Sequence, residues 1–433
     1  DSDAGGKAVT AILFLSLLVC FVLGMPIAFS LGVASVTTLQ FGSNLPLTLA
    51  AQRLFTGTDS FPLMAIPFFM LAGELMESGG ISRRLFDFAH AIVGFVYGGL
   101  AMVAVVAAMF FAGISGAAAA DTAAVGAVSI PAMIRKGYKK GFAAAVQAAG
   151  GSIGVIIPPS IPMIIFGVVG GVSIGKMFMG GFIPGLLIGG GLMATSYFLA
   201  KRAGYEKDAF LGVRAILRTL WGARGALLMP VIILGGILGG IFTPTEAAVV
   251  AALYGLVIGF LVYRELRLRD LPRIFARAAI ATSTVMLLIA TANIFGWILT
   301  AERVPQNVAA YLVTLSSSRY VLYGLILICL LIVGTFMETS ASLIILTPVF
   351  LPVVEKLGID PVHFGVVMVT ALAIGMLTPP LGICLFISCN IAHIQLSEII
   401  RYITPFLVIM IAMLVLITYV PDLVMVIPNT FAK

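Results

Sequence analysis

From residue 9 to residue 420 the chain is a succession of long apolar runs separated by short polar or basic stretches. Runs of this length and so few charges predict helices that cross a bilayer. Residues 9–24, 27–41 and 61–76 predict the first spans, with a kink at Gly24-Met25-Pro26. Residues 45–58 and 81–93 instead place charges against one apolar face, which predicts helices along the membrane surface. Residues 98–112 and 117–134 flank a small polar tip, Gly113-Ile114-Ser115-Gly116, and predict a hairpin dipping into the membrane. Spans are also predicted over 174–200, 226–242, 247–263, 279–299 and 399–420, an amphipathic segment over 304–316, and a second hairpin over 320–354.

Two runs carry a break where a crossing helix should be continuous. Residues 150–160 read Gly-Gly-Ser-Ile-Gly-Val-Ile-Ile-Pro-Pro-Ser, and residues 373–382 read Ala-Ile-Gly-Met-Leu-Thr-Pro-Pro-Leu-Gly. Paired prolines remove two donors and clash with the preceding turn, so each helix must stop there. Broken backbone at membrane depth is tolerated only where it lines a cavity or a site. A single Pro-Pro pair is accounted for as a kink relieving packing. Two in register with hairpin tips point to a transporter's ion and substrate site.

The register is an internal repeat. Gly113 and Gly334, Pro131 and Pro352, Gly137 and Gly358, Pro158-Pro159 and Pro379-Pro380, and Pro184 and Pro405 are each 221 positions apart. The basic connector 201–224 is the boundary between the halves. Composition agrees with a polytopic membrane protein: 433 residues, 61% hydrophobic, 10% charged, mean hydropathy +1.16. The net charge of +7 is read as loop charge facing the cytoplasm and membrane lipid, with no nucleic acid partner. Cys20, Cys329, Cys384 and Cys389 lie in apolar segments without CxxC spacing and are read as core residues. The first residues, Asp-Ser-Asp, suggest a processed, trimmed or fusion-derived chain, and no signal peptide is recognised.

Lysine and arginine set the orientation. One face holds 18 of the 25 basic residues, in 78–88, 135–140, 201–224, 264–277 and the loop after Asn390. That face is predicted to be cytoplasmic, which puts both termini outside. The first hairpin then enters from the cytoplasm and the second from the opposite side, an inverted-topology repeat.

Interrupted helices expose carbonyls at one end and N–H groups at the other, suited to sodium and to a carboxylate respectively. In the first half the candidates for an ion cage are Ser115, Ala117, Gly154, Ile157 and Pro159; the repeat adds Phe336, Glu338, Gly375, Thr378 and Pro380. Beside them Gly116, Asp121, Ser160, Thr339 and Gly382 are candidates for substrate contact. Intramembrane acids are functional candidates by default, and Asp121 and Glu338 lie near the tips. Glu246, after Thr-Pro-Thr, reads as a helix cap. Glu74 is open between a partner contact and a helix end, and Asn293 reads as interhelical glue. Gly113-Ile114-Ser115-Gly116 also matches the GxSG pattern of intramembrane serine proteases, but His90, His363 and His393 all fall at membrane edges or loops. No Walker A or HExxH motif occurs, so ATP is not expected to drive the chain.

Met25-Pro26-Ile27-Ala28, the run from Ala65-Ile66-Pro67 to Gly73-Glu74, Gly113 to Gly126, Ile156 to Pro162, Phe242 to Ala247 and Leu377 to Gly382 together carry a family resemblance. The chain resembles the large membrane subunit (M) of tripartite ATP-independent periplasmic (TRAP) transporters, over essentially its whole length. The resemblance implies an all-α, inverted-repeat elevator of the ion-transporter superfamily, with two re-entrant hairpins and two broken transmembrane helices. It implies sodium as the coupling ion, the first cage above as one sodium site, and an organic acid as substrate. It also implies a small four-helix membrane subunit (Q), a periplasmic substrate-binding protein (P) and a bacterial inner membrane. The expected division is scaffold 1–95 and 226–316, with transport-domain elements in 96–172, 173–225 (ending in the connector) and 317–433. The small residues of 118–126 lean toward sialic or sugar acids, with a C4-dicarboxylate as the other substrate. The rival readings are a stand-alone sodium/dicarboxylate symporter, which would carry Ser-Asn-Thr at both tips, and the protease.

Overall fold

The computed structural model describes residues 2–42, 45–315 and 318–431. Asp1, Ser316 and Lys433, which entered the sequence reading, lie outside them.

The first repeat opens with α1 (Ser2–Val22) and α2 (Ile27–Gly42), hinged at the expected Gly24-Met25-Pro26 turn. The amphipathic α3 (Thr48–Thr58) leads to α4 (Ala65–Ser78), and α5 (Ile81–Val93) lays a strongly one-sided face on its neighbours. The hairpin α6 (Gly99–Ser115) and α7 (Ala118–Arg135) turns at Gly116-Ala117, at the end of the expected tip. The broken helix follows as α8 (Lys140–Ser152) and α9 (Ile161–Gly170), and α10 (Ile174–Ala203) closes the repeat.

The second repeat follows the same order. It runs through α11 (Val213–Leu238), α12 (Pro244–Val257), α13 (Leu271–Ala301) and the short α14 (Val304–Leu315). The second hairpin is α15 (Arg319–Phe336) and α16 (Thr339–Lys356), and the second broken helix is α17 (Pro361–Gly375) and α18 (Ile383–Ala392). Helices α19 (Leu396–Tyr419) and α20 (Asp422–Phe431) complete it. Helices α7 and α16 begin, and end, 221 positions apart, as the glycines and prolines required.

Packing between the repeats is reciprocal. Helix α7 lies on α18 while α16 lies on α9, and α8 lies on α19 while α17 lies on α10. Neither repeat covers its own apolar surface, so each needs the other to form a core. The first limbs of the two broken helices form the centre. Every residue from Gly141 to Ser152, and from Val362 to Gly375, is buried. In α8 this is possible because alanine and glycine let neighbouring backbones approach closely.

Among the described residues eight helical stretches are long and apolar enough to cross a membrane. Helices α9 and α18 have 10 residues each, about 15 Å or half of a hydrocarbon core. The sequence boundaries needed three corrections. The basic connector is mostly helical: α10 runs on to Ala203, α11 starts at Val213, and only 204–212 is a linker. Similarly, α13 absorbs much of the basic 264–277 stretch, because lysine and arginine are good helix formers that extend their charges into water. Helix α20 lies beyond what was expected as the last span.

The 204–212 linker is pinned beneath the first hairpin. Asp208 accepts from Lys136 Nζ at 2.7 Å and meets His90 Nε2 at 2.9 Å, and Tyr205 stacks on Tyr138 at 4.1 Å between ring centroids. The hydrogen bond from Lys136, helped by His90, holds the Asp208 carboxyl below the usual carboxylate range. A lowered folded-state pKa stabilises above the unfolded value and is lost as pH falls through the folded one. Asp208→Asn should therefore lower the thermal midpoint modestly at neutral pH, with the difference from wild type shrinking as pH falls through and below the usual aspartate range. Thermal unfolding across pH checks it; an equal difference at all pH values would mean a packing role.

Candidate ion and substrate site

Each hairpin tip is stitched to the break of its own repeat. At the first, α6 ends at Ser115, Gly116 takes φ +65°, and Ala117 is extended before α7 begins. The Gly116 carbonyl accepts from Ile161 N at 3.1 Å, just past the break. At the second, α15 ends at Phe336, and the Thr335 carbonyl accepts from Leu381 N at 3.1 Å. Contact there is backbone to backbone. A Cβ on Gly375 would stand 2.4 Å from the Gly334 carbonyl carbon, which is why both are glycine.

The breaks themselves are alike. Pro158-Pro159 and Pro379-Pro380 are both cis. The carbonyls of Ile156, Ile157, Pro158 and Pro159 accept no backbone hydrogen bond among the described residues, and neither do those of Leu377, Thr378, Pro379 and Pro380. Ser160 then caps α9, donating to the Val155 carbonyl at 2.6 Å and accepting from Met163 N at 3.3 Å. The Ile157 side chain packs against Gly185 of α10, and that glycine is required: a Cβ there would be 2.4 Å from Ile157 Cγ1.

Around the first tip the predicted residues converge. Ser115 Oγ donates to Asp121 in a short hydrogen bond and accepts from Ala117 N at 3.2 Å. Asp121 is fully buried in the first turn of α7, and its other oxygen, Oδ2, has no hydrogen-bond partner. A Cβ on Gly154 would collide with that carboxylate. Ser115, Gly116, Ala117, Asp121, Gly154 and Pro159 thus lie together at the first tip and its break, and one Asp121 carboxylate oxygen among them has no hydrogen-bond partner. A buried carboxylate oxygen without a partner is costly and is satisfied by a cation or by a proton. Asp121, named above as a candidate for substrate contact, stands beside Ser115 and Gly154, two of the candidates for the ion cage.

The second tip is different in detail. Glu338 caps α16, its carboxylate accepting from Ser340 N at 2.9 Å, Ala341 N at 3.2 Å and Ser340 Oγ at 3.0 Å. Thr378 Oγ1 donates to the Ile374 carbonyl at 3.3 Å, and Gly382 sits at φ +42° before α18. Phe336 is 63% exposed. Pro380 and Leu381 are also exposed, whereas Ile157, Pro159 and Ser160 are buried. The Thr339 hydroxyl is buried without a partner. The tips therefore occupy unlike surroundings. The first lies under α4, where Gly73 faces Ser115, and against Pro230 of α11.

Sequence reasoning missed Gln147. It is fully buried in α8, donates to the Asp121 carbonyl at 3.4 Å and accepts from Ser129 Oγ at 2.7 Å. Its signal was a lone amide in a helix of alanine and glycine. Cys384, at the start of α18, reaches the Thr122 side chain and so brings the second repeat to the first site. Elsewhere, Glu246 forms the expected capping box with Thr243. Glu74 faces Arg277 at 3.9 Å. Asn293 is exposed to a cavity beside Arg53, in no hydrogen bond among the described residues, and does not serve as glue. No histidine serves Ser115 as a base: His90 is paired with Asp208, and His363 Nε2 contacts the Ile417 carbonyl at 2.9 Å.

Residues 14–423 match the family model for the tripartite ATP-independent periplasmic transporter, DctM component. The chain belongs to this family. It is a multi-pass membrane transporter component, the TRAP large permease, and not an enzyme. A curated relative at 46% identity is the isethionate TRAP transporter permease protein DctMQ of Oleidesulfovibrio alaskensis, matched over 93% of this chain. The matched region spans 64% of that longer relative. The C4-dicarboxylate large permease DctM of Pseudomonas aeruginosa is 41% identical over 92% of this chain and 94% of its own length. The sialic acid large permease SiaM of Vibrio cholerae is 41% identical over 94% and 96%. Among solved structures, the YdaH transporter of Alcanivorax borkumensis matches with TM-score 0.63 over 89% of this chain and 88% of its own, at 16% identity, a likeness of fold.

Proposed function

We propose that this TRAP large permease is the sodium-coupled carrier that takes a small organic acid anion across the bacterial inner membrane. It works with a small membrane subunit, and a periplasmic binding protein delivers the substrate. The observation that supports the sodium reading is the first tip, where break carbonyls that accept no backbone hydrogen bond, the Ser115 hydroxyl and the unpaired Asp121 oxygen lie in the buried core. Oxygen-only donors of this kind suit a hard cation. Thr378 and the 377–380 carbonyls form the related second cage, and the Thr339 and Gly382 surroundings, at helix N-termini, face the anion.

An elevator motion accounts for the unlike surroundings of two like tips. The paired hairpins and broken helices form the moving body, and α1–α5 with α11–α14 form the scaffold. With the basic face in the cytoplasm, both termini are periplasmic. The relatives' names span isethionate, C4-dicarboxylates, sialic acid and 2,3-diketo-L-gulonate, so sugar acids stand beside dicarboxylates and sulfonates as substrates.

The test is uptake into proteoliposomes holding the permease with its small subunit. Isethionate, succinate and N-acetylneuraminate are supplied with and without an inward sodium gradient and the binding protein. The expected result is accumulation of one anion that needs both. Sodium-driven uptake without a binding protein would replace this reading with the stand-alone symporter.

A further inference from the structure

The cargo is an anion, and the residues placed around the two tips above include no basic side chain. Of the described basic residues outside the predicted cytoplasmic face, Lys176, Arg303, Arg319 and Lys356 are exposed. Arg53 of α3 is half-buried and lines a cavity of about 320 Å³ between α3 and α13 on one side and α9 and α16 on the other. Its guanidinium carbon lies 5.1 Å from the Trp297 ring centroid. Asn293 and Thr300 also face the cavity, and Val169 and Pro348 close its far wall. Among the described residues lining it none is acidic, and no carboxylate pairs with Arg53. The smaller cavity at Arg319 differs, because Asp360 lines it too.

We propose that this cavity is an anion-receiving site, in which Arg53 takes the acid group of the incoming substrate at the seam between the two bodies. The inference rests on the scaffold and moving-body reading above. A guanidinium braced on an indole is already oriented and partly desolvated, and its fork matches a carboxylate or sulfonate in two hydrogen bonds. Asn293 adds a neutral donor on the same wall. Gly57 makes room for it, since a Cβ there would be 2.6 Å from Asn293 Cβ. The volume suits a small acid. Two walls belong to α9 and α16, so movement of these helices would open the site and hand the anion on.

Trp297 provides a readout independent of transport. The chain has two tryptophans, and the other, Trp221, is exposed on α11. In the purified full chain carrying Trp221→Phe, emission is titrated with isethionate, succinate and N-acetylneuraminate, with chloride as control. At least one acid should give a saturable change without sodium. Arg53→Gln should abolish it, Arg53→Lys should weaken it at least tenfold, and Asn293→Asp should repel the anion while keeping the fold. In proteoliposomes, Arg53→Lys should raise the KM for uptake more than it lowers kcat. No emission change with an acid that the same preparation transports would overturn the site and leave the transport reading intact. A saturable, Arg53-dependent change without sodium-driven uptake would uphold the site and overturn the transport reading.

Discussion

Gly116→Ala should reduce sodium-driven uptake at least about 100-fold, equivalent to roughly 2.7 kcal/mol. Two independent constraints meet at this position. The backbone is left-handed, at φ +65°, which costs a side-chain-bearing residue about 1 kcal/mol or more. A Cβ would also lie 2.7 Å from the Pro159 carbonyl oxygen, a cage candidate that must then move. Moving it strains the hydrogen bond from Ile161 N to the Gly116 carbonyl, the one backbone bond between this tip and its break among the described residues. The control separates the two constraints. Gly137 has φ +82° with open space around it, so Gly137→Ala carries the backbone strain alone and should keep near-wild-type uptake. Equal losses in both variants would show that strain, not the tip–break fit, limits function.

Asp121→Asn should raise the sodium concentration for half-maximal uptake more than about tenfold, or ~1.4 kcal/mol, while the maximal rate falls less. The amide keeps the shape of the carboxylate and its hydrogen bond with Ser115 but removes the charge. On the sodium reading the carboxylate charge serves the ion, and Oδ2, which has no hydrogen-bond partner, is the oxygen left to meet it. Ser115→Ala should raise the same sodium requirement by a smaller factor, since the hydroxyl is one neutral ligand among several. Sodium dependence measured at fixed substrate in proteoliposomes decides it. An unchanged half-saturation in Asp121→Asn, with uptake intact, would reduce the residue to a buried helix-start acid.

The linear chain was enough to determine the order of helices, the 221-residue repeat and both breaks, and it named Ser115, Ala117, Gly154 and Pro159, which the structure brings together at the first tip. Those features are written in local chemistry. Apolar runs, glycines and paired prolines act within a turn or two, and a gapless repeat carries the reading from one half to the other. Position 246 was legible for the same reason, since a capping box closes within four residues.

What the tertiary structure decided depends on groups distant in sequence. Asp121 stands against Ser115 and Gly154 because α7 folds back over the tip. Gln147 became visible only when α8 was buried on all sides. Cys384 reached Thr122 only because each repeat covers the other's broken helix. Phe336 and Glu338 show that the repeat carries over backbone course and not side-chain placement. The offset of 221 preserves backbone course, but one side chain turns outward and the other caps its own helix. Side-chain direction depends on what each tip packs against, and the repeats pack against unlike neighbours. The seam cavity at Arg53 and Trp297 belongs to the same class. Its walls come from four helices spread between residues 48 and 356, and no local pattern announces it.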